Sequence, residues 1–237
     1  MKKGFLLLCT VLCSMGMKAQ LVSSESRTIV PVERVVVEKP KRTTWMVRVG
    51  VGSNTFVGDS YKYYDEDGDK KNFSSKVGYF LGFEFNKTLG SKGAYWGEDF
   101  AFASRGWKVS ESEYGAKAEM KLAAHTFHWS PFIFGWKIQV PNSKFSIDPH
   151  IGVYLAVDMA GKYKMKYTYD GESESDDMKI GDADDYMRFD AGLKVGVGVW
   201  YNKKYNFDLT YQRGFVAEDT DYDGGASNFW VRLGYAF

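Results

Sequence analysis

The chain ends Asn228-Phe229-Trp230-Val231-Arg232-Leu233-Gly234-Tyr235-Ala236-Phe237. Laid out as an extended strand, this stretch puts Phe229, Val231, Leu233, Tyr235 and Phe237 on one face and Trp230, Arg232, Gly234 and Ala236 on the other, because successive side chains of a strand alternate sides. Such a strand needs an apolar surround on one side and a polar, crowded space on the other. A barrel closed within a lipid bilayer supplies both.

The same alternation recurs upstream. Trp45, Val47, Val49 and Val51 oppose Met46, Arg48, Gly50 and Gly52, and Val77 to Phe85 oppose Lys76 to Asn86. A third strand runs from about Ala94 to Lys108, with Glu98 sharing the face of Phe100, which suggests a bulge or an interfacial position there. The fourth, from about Lys117 to Gln139, changes phase at Pro131, and a bulge is expected because proline cannot donate to the ladder. Ile147 to about Thr168, Met187 to Val199 and Tyr205 to Gln212 complete the set with the terminal strand. Eight strands in chain order predict an all-β, eight-stranded antiparallel up-and-down transmembrane β-barrel, whose even count lets the first and last strands pair and removes both sheet edges. An aromatic content of 17% and 25 glycines suit many strands joined by tight turns. Past the N-terminus no apolar run is long enough for a helical span.

Connections alternate in length. Those after the second, fourth and sixth strands are short and carry Lys92, Lys144, Lys203 and Lys204; those at 57–75, 109–116, 169–185 and 217–226 are longer and hold nineteen acids against four lysines. Short turns on the periplasmic side with longer acidic loops outside is the expected asymmetry, which places both termini in the periplasm.

Residues 1–19 read as a targeting segment, with Lys2 and Lys3 before the apolar Phe5 to Leu12 and a small residue, Ala19, at the cut. Cys9 and Cys13 fall inside it, so the exported chain would hold no cysteine, and 28 basic against 30 acidic residues. That near-neutral balance gives no footprint for nucleic acid. Residues 20–43, with Pro31, Pro40 and Val35-Val36-Val37, read as an extended periplasmic segment, or alternatively as a short strand or partner-binding peptide. Residues 44–237 are the barrel.

Inward-facing ionisable positions are Arg48, Glu84, Asp99, Asp148, His150, Asp158, Arg188, Asp190, Lys194, Asp208 and Arg232. An eight-stranded barrel is just filled by side chains, and a lone charge in a low-dielectric lumen is costly, so pairing is expected. Arg48, Lys194 and Arg232 are predicted to pair with Glu84, Asp190 and Asp208 and close the lumen.

Asp219-x-Asp221-x-Asp223-Gly224 matches the front of a calcium loop, but Trp230 stands where the bidentate acid belongs, so this is a candidate cation-binding loop beside the plainer reading of a solvated one. His128-x-Ser130 puts an imidazole and a hydroxyl on one face of a strand, with no third group identifiable. No phosphate-cradling glycine loop, zinc pattern or cofactor motif is present.

The runs Phe80-Leu-Gly-Phe-Glu-Phe85, Ser104-Arg105-Gly106, Asp148-Pro-His-Ile-Gly-Val-Tyr-Leu155, Gly192-Leu-Lys-Val-Gly-Val-Gly-Val199, Asp208-Leu-Thr-Tyr-Gln-Arg-Gly-Phe215 and the Leu-Gly-Tyr-Ala-Phe end resemble, in order, the small outer-membrane β-barrel domain of bacteria (porin-family, OmpA/OmpX-like) over about residues 45–237. The chain departs from that pattern at His125 to Pro131, where the family has a Tyr-Leu-Glu-Ile-Pro-like run. The resemblance implies a monomeric outer-membrane protein in contact with lipid and lipopolysaccharide, whose Phe237 end is recognised by the outer-membrane assembly machinery. It says little about biochemical role; the closed lumen expected above leaves a non-enzymatic structural or surface-interaction role as the expectation. The alternatives are a narrow porin for small solutes and a lipid A-modifying enzyme: some deacylase barrels of similar size carry a His-x-Ser pair on their outer wall, for which His128 and Ser130 are the candidates.

Overall fold

The computed structural model describes residues 43–57, 74–113, 116–170, 172–180, 182, 187–216 and 225–237, all within the compact unit Lys41–Phe237. Residues 1–42, most of the 57–75 connection and Asp219, Asp221 and Asp223 lie outside the described residues.

The described residues form eleven strands: β1 (Thr43–Val57), β2 (Ser74–Thr88), β3 (Ala94–Arg105), β4 (Trp107–Glu113), β5 (Ala116–Trp136), β6 (Ile138–Gln139), β7 (Phe145–Tyr169), β8 (Glu172–Lys179), β9 (Phe189–Tyr201), β10 (Tyr205–Gly214) and β11 (Gly225–Ala236). Eight of them form the ring β1-β2-β3-β5-β7-β9-β10-β11, every neighbour antiparallel. The ring is closed by β1 and β11, paired from Met46 opposite Ala236 to Val57 opposite Gly225. Closure leaves no unpaired edge along the membrane-spanning wall, the condition a bilayer imposes on strands. β4 carries the line of β3 onward past Gly106, β6 carries that of β5 past Lys137, and β8 folds back on β7.

Alternation in the sequence becomes inside and outside. Val47, Val49 and Val51 are exposed on the outer wall, while Met46 and Arg48 are buried in the lumen. At the short-turn end the outer wall carries linked aromatic rings: Phe145 to Tyr201 at 5.1 Å, Tyr205 to Tyr235 at 5.5 Å, Tyr235 to Phe237 at 5.6 Å and Trp45 to Phe85 at 4.6 Å between centroids. This is the girdle at which amphipathic aromatics meet the polar face of a bilayer. Phe237 is held there by its backbone N–H, which donates to the Trp45 carbonyl at 3.0 Å.

The phase change at Pro131 is a bulge. Trp129 and Phe132 lie opposite Leu155 and Val153, so β5 spends one more residue than β7. The same extra residue on β5 accounts for the irregularity facing Gly97 and Asp99 on β3. Glu98 itself is not bulged; it is a half-buried outer-wall residue paired in regular register with Phe85. A further bulge lies at Met159, where Thr126 and His125 face Asp158 and Ala160.

Two stretches read as loops are strand. Val109–Glu113 pair with Ala116–Met120, and Glu172–Lys179 with Lys162–Tyr169. Their sequences lack apolar alternation, and the pairing is carried instead by the ladder and by cross-strand contacts such as Lys164 Nζ to Asp177 Oδ2 at 3.1 Å. β4, β5, β7 and β8 thus form a four-stranded sheet at the long-loop end.

Candidate functional site

The lumen is built from every second residue of the ring strands. Inward glycines give room to its large side chains: a Cβ on Gly52 would stand 2.3 Å from Trp230 Cε3, and one on Gly135 2.4 Å from the Tyr95 hydroxyl. A floor of Met46, Trp200 and Ala236 closes the short-turn end. Above it Lys137 Nζ lies 4.0 Å from the Trp200 ring, and Trp200 Nε1 donates to Asp148 Oδ2 at 2.8 Å. Arg48 and Glu84 form a buried ion pair, and Asn86 Nδ2 donates to Glu84 Oε1 at 2.8 Å.

Arg232 occupies the centre. Its Nε and Nη2 donate to Asp208 Oδ1 at 2.8 and 2.5 Å, Nη2 also to Thr210 Oγ1 at 2.7 Å, and Nη1 to Asp99 Oδ2 at 3.3 Å. Lys194 Nζ meets the same Asp99 oxygen at 3.0 Å and Ser130 Oγ at 3.1 Å. His150 Nε2 lies 3.5 Å from Asp208 Oδ2. The Arg232 guanidinium also faces the Phe80 ring at 5.0 Å, within an apolar wall shared with Ala101, Ala103 and Trp230. Toward the long-loop end Arg105 binds Asp158 through Nε at 2.8 Å and Nη2 at 2.6 Å, and Asp190 through Nη1 at 3.1 Å. Phe56, Trp107, Leu122 and Ile180 then form an apolar cluster above the charges.

Among the described buried residues six carboxylates face four Arg or Lys side chains. Neutral donors make up the difference: Thr126 Oγ1 to Asp158 at 2.6 Å, Tyr154 Oη to Asp190 at 2.9 Å, and Thr210 Oγ1 to Asp208 at 2.7 Å. Satisfaction is partial: each of these carboxylates keeps at least one donor, while one oxygen each of Asp99, Asp148, Asp190 and Asp208 takes no hydrogen bond among the described residues.

Arg48, Glu84, Asp190, Lys194, Asp208 and Arg232 are all buried in the lumen, but not in the pairing expected for all of them. Lys194 pairs with Asp99, and Asp190 with Arg105. Alternation fixes the face a residue takes but not its depth: Asp190 stands four residues above Lys194 on β9, about 13 Å along the strand, level with Ala156 rather than with Gly152. Arg105 is not among the expected inward charges, although continuing the inward parity of Asp99, Ala101 and Ala103 reaches it. Arg188 precedes β9 and is exposed.

His128 and Ser130 also point into the lumen, 3% and 2% exposed. The Ser130 hydroxyl is engaged by Lys194, the His128 ring packs on Tyr154 at 5.9 Å, and neither ring nitrogen has a hydrogen-bond partner among the described residues. The pair is therefore not on the outer wall and makes no nucleophile–base contact. His125 is the outward one, with Nδ1 at 2.9 Å from the Tyr79 hydroxyl. No group of three or more possible metal ligands occurs among the described residues.

With this geometry in place, the sequence profile of the outer membrane protein beta-barrel domain matches residues 19–219. The chain belongs to that family. Fold similarity to solved members of the family's architecture is broad and shallow. The attachment invasion locus protein Ail of Yersinia pestis is 18% identical over 83% of this chain and 99% of its own, with a TM-score of 0.35. Neisserial surface protein A is 13% identical over 81% and 97%, at 0.39, and LpxR from Salmonella typhimurium 8% identical over 82% and 100%, at 0.30. No curated protein gives a significant sequence match.

Proposed function

We propose that this family member is a non-enzymatic outer-membrane barrel with a closed, ion-paired lumen, acting as a structural or cell-surface interaction protein with its short turns and both termini in the periplasm. The observation that carries the reading is the centre of the lumen, where Arg232 joins Asp208 and Asp99 and Asp99 in turn takes Lys194, all with side chains at most 4% exposed. Side chains crossing from opposite walls leave the axis occupied, and separating such pairs inside a low-dielectric wall is costly. The apolar clusters at the two ends add further obstruction. With the interior committed to packing, function falls to surfaces outside it.

Planar-bilayer recording of the purified protein tests the reading. The expected result is no steady conductance above the leak of the bilayer. A stable open channel would overturn it and establish the narrow-porin alternative. Labelling of intact cells with a membrane-impermeant reagent at a cysteine placed at Asn142 or at Ser173 tests the sidedness: only Ser173→Cys should react.

A further inference from the structure

The four-stranded sheet β4-β5-β7-β8 has two chemically opposite faces. One continues the lumen: Leu122 is fully buried and Tyr163 packs beside it. The other continues the outer wall, on the phase that lower down holds Phe127 and Trp129. On that outer face a single register row runs Lys108, Lys121, Lys164, Asp177 across all four strands, and the next row places Lys162 opposite Lys179. Lys117 and Lys166 stand farther out on the same face. The outer-wall acids here are Glu119, in contact with Lys117 at 2.8 Å, Lys121 at 3.0 Å and Lys108 at 3.5 Å, and Asp177, in contact with Lys164 at 3.1 Å and Lys162 at 3.6 Å. Seven lysines against two acids leave this face strongly cationic, in a chain whose total charge is near neutral.

Like charges directly opposed across a ladder destabilise a sheet. Three such oppositions occur here, Lys108 with Lys121, Lys121 with Lys164 and Lys162 with Lys179. Two shared carboxylates leave an excess of positive charge on this face, which favours an external anion. Depth indicates which anion. His125 and Ala160 face each other at the top of the apolar wall, and Lys162 is two residues beyond Ala160, about 7 Å along the strand. The polar layer of a bilayer leaflet is roughly 5–8 Å thick, so the inner row of lysines lies within it.

We propose that this lysine face is a binding surface for the phosphate groups of the phosphorylated glycolipid in the leaflet that surrounds the long-loop end. It anchors the projecting sheet to the membrane surface and relieves the opposed lysines. The site follows from the barrel's placement in a membrane; only the identity of the leaflet rests on the sidedness proposed above.

The test uses the full protein in detergent micelles doped with bisphosphorylated or dephosphorylated lipid A, and measures lipid A retained per protein after gel filtration at increasing salt. Leaflet identity does not enter a micelle, so failure here is separate from failure of the sidedness. The wild type should retain the bisphosphorylated form selectively. Replacing Lys121, Lys162 and Lys164 by Gln should weaken retention about a hundredfold, at roughly a factor of five per lysine near an anionic surface. The same three changed to Arg should retain the lipid, and Lys92, Lys144 and Lys203 changed to Gln at the short-turn end should leave retention unaltered, with heat-modifiable gel mobility reporting that each variant is folded. Equal retention of the dephosphorylated lipid, or wild-type retention by the Gln variant, would overturn the proposal. So would loss in the Gln variant of binding to a soluble polyanion such as heparin while lipid A retention stays unchanged.

Discussion

Replacing Arg232 by Ala removes the group on which the centre of the lumen converges. Four hydrogen bonds are lost, two to Asp208, one to Thr210 and one to Asp99, together with the contact on the Phe80 ring. The two carboxylates do not suffer equally. Asp99 keeps Lys194 at 3.0 Å, whereas Asp208, fully buried, is left with the Thr210 hydroxyl and with His150 at 3.5 Å. Removing one partner of a buried ion pair while stranding the other costs about 3–5 kcal/mol, and the upper part of that range applies because a cavity remains against Phe80. Urea unfolding in lipid vesicles, followed by loss of the compact heat-modifiable band, measures it. Asp208→Asn removes the stranded charge, so the double variant should lose less than the sum of the singles, by about 1–3 kcal/mol as for other contacting residues. A loss below about 1 kcal/mol for Arg232→Ala, or strict additivity with Asp208→Asn, would refute the reasoning that the lumen is held by this pair.

Deleting Phe237 should impair membrane assembly, since it removes an aromatic from the girdle and the backbone N–H that ties the chain end to Trp45; normal yields of the folded, heat-modifiable form in outer-membrane fractions would count against it. On the projecting sheet, hydrogen bonds from Lys117 and Lys121 hold the Glu119 carboxyl down at about 2 from its ordinary 4.5. Because that folded value is depressed, its stabilisation is present above the ordinary value and is lost as pH falls through the folded one. The Glu119 side-chain carboxyl resonance should therefore titrate near 2, and near its ordinary value in Lys117→Gln/Lys121→Gln; an unmoved midpoint would dissociate the shift from those lysines.

The ring was legible because the outer wall needs apolar groups at every second position, and Trp45 to Val51 or Leu193 to Val199 supply them without interruption. The bulge at Pro131 was legible too, because phase and a missing donor pointed to the same residue. The bulge at Met159 was not: the residues that follow, Ala160 to Lys166, have left the apolar wall, so no hydrophobic phase exists there to be seen slipping. For the same reason nothing in β8, reading Glu-Ser-Glu-Ser-Asp-Asp-Met-Lys, marks it as a strand, and the lysine face that depends on its pairing has no signature in the sequence. Within the lumen, parity identified which charges point inward. It could not rank them by depth, which strand tilt and register set, and so Lys194 and Asp190 were matched across a gap that Asp99 and Arg105 fill instead.

The seam between β1 and β11 joins segments at opposite ends of the described chain, paired from Met46 with Ala236 to Val57 with Gly225. No connecting hairpin holds these two strands in register, so the pairing with the largest loop-closure entropy is also the one that completes the ring. Until it forms, any inserted intermediate carries two open backbone edges, in a medium that offers them no hydrogen-bonding partner. Amide exchange on the two sides of this seam should respond together, and the rate-limiting event of folding should be the meeting of the chain's two ends rather than the growth of any one hairpin.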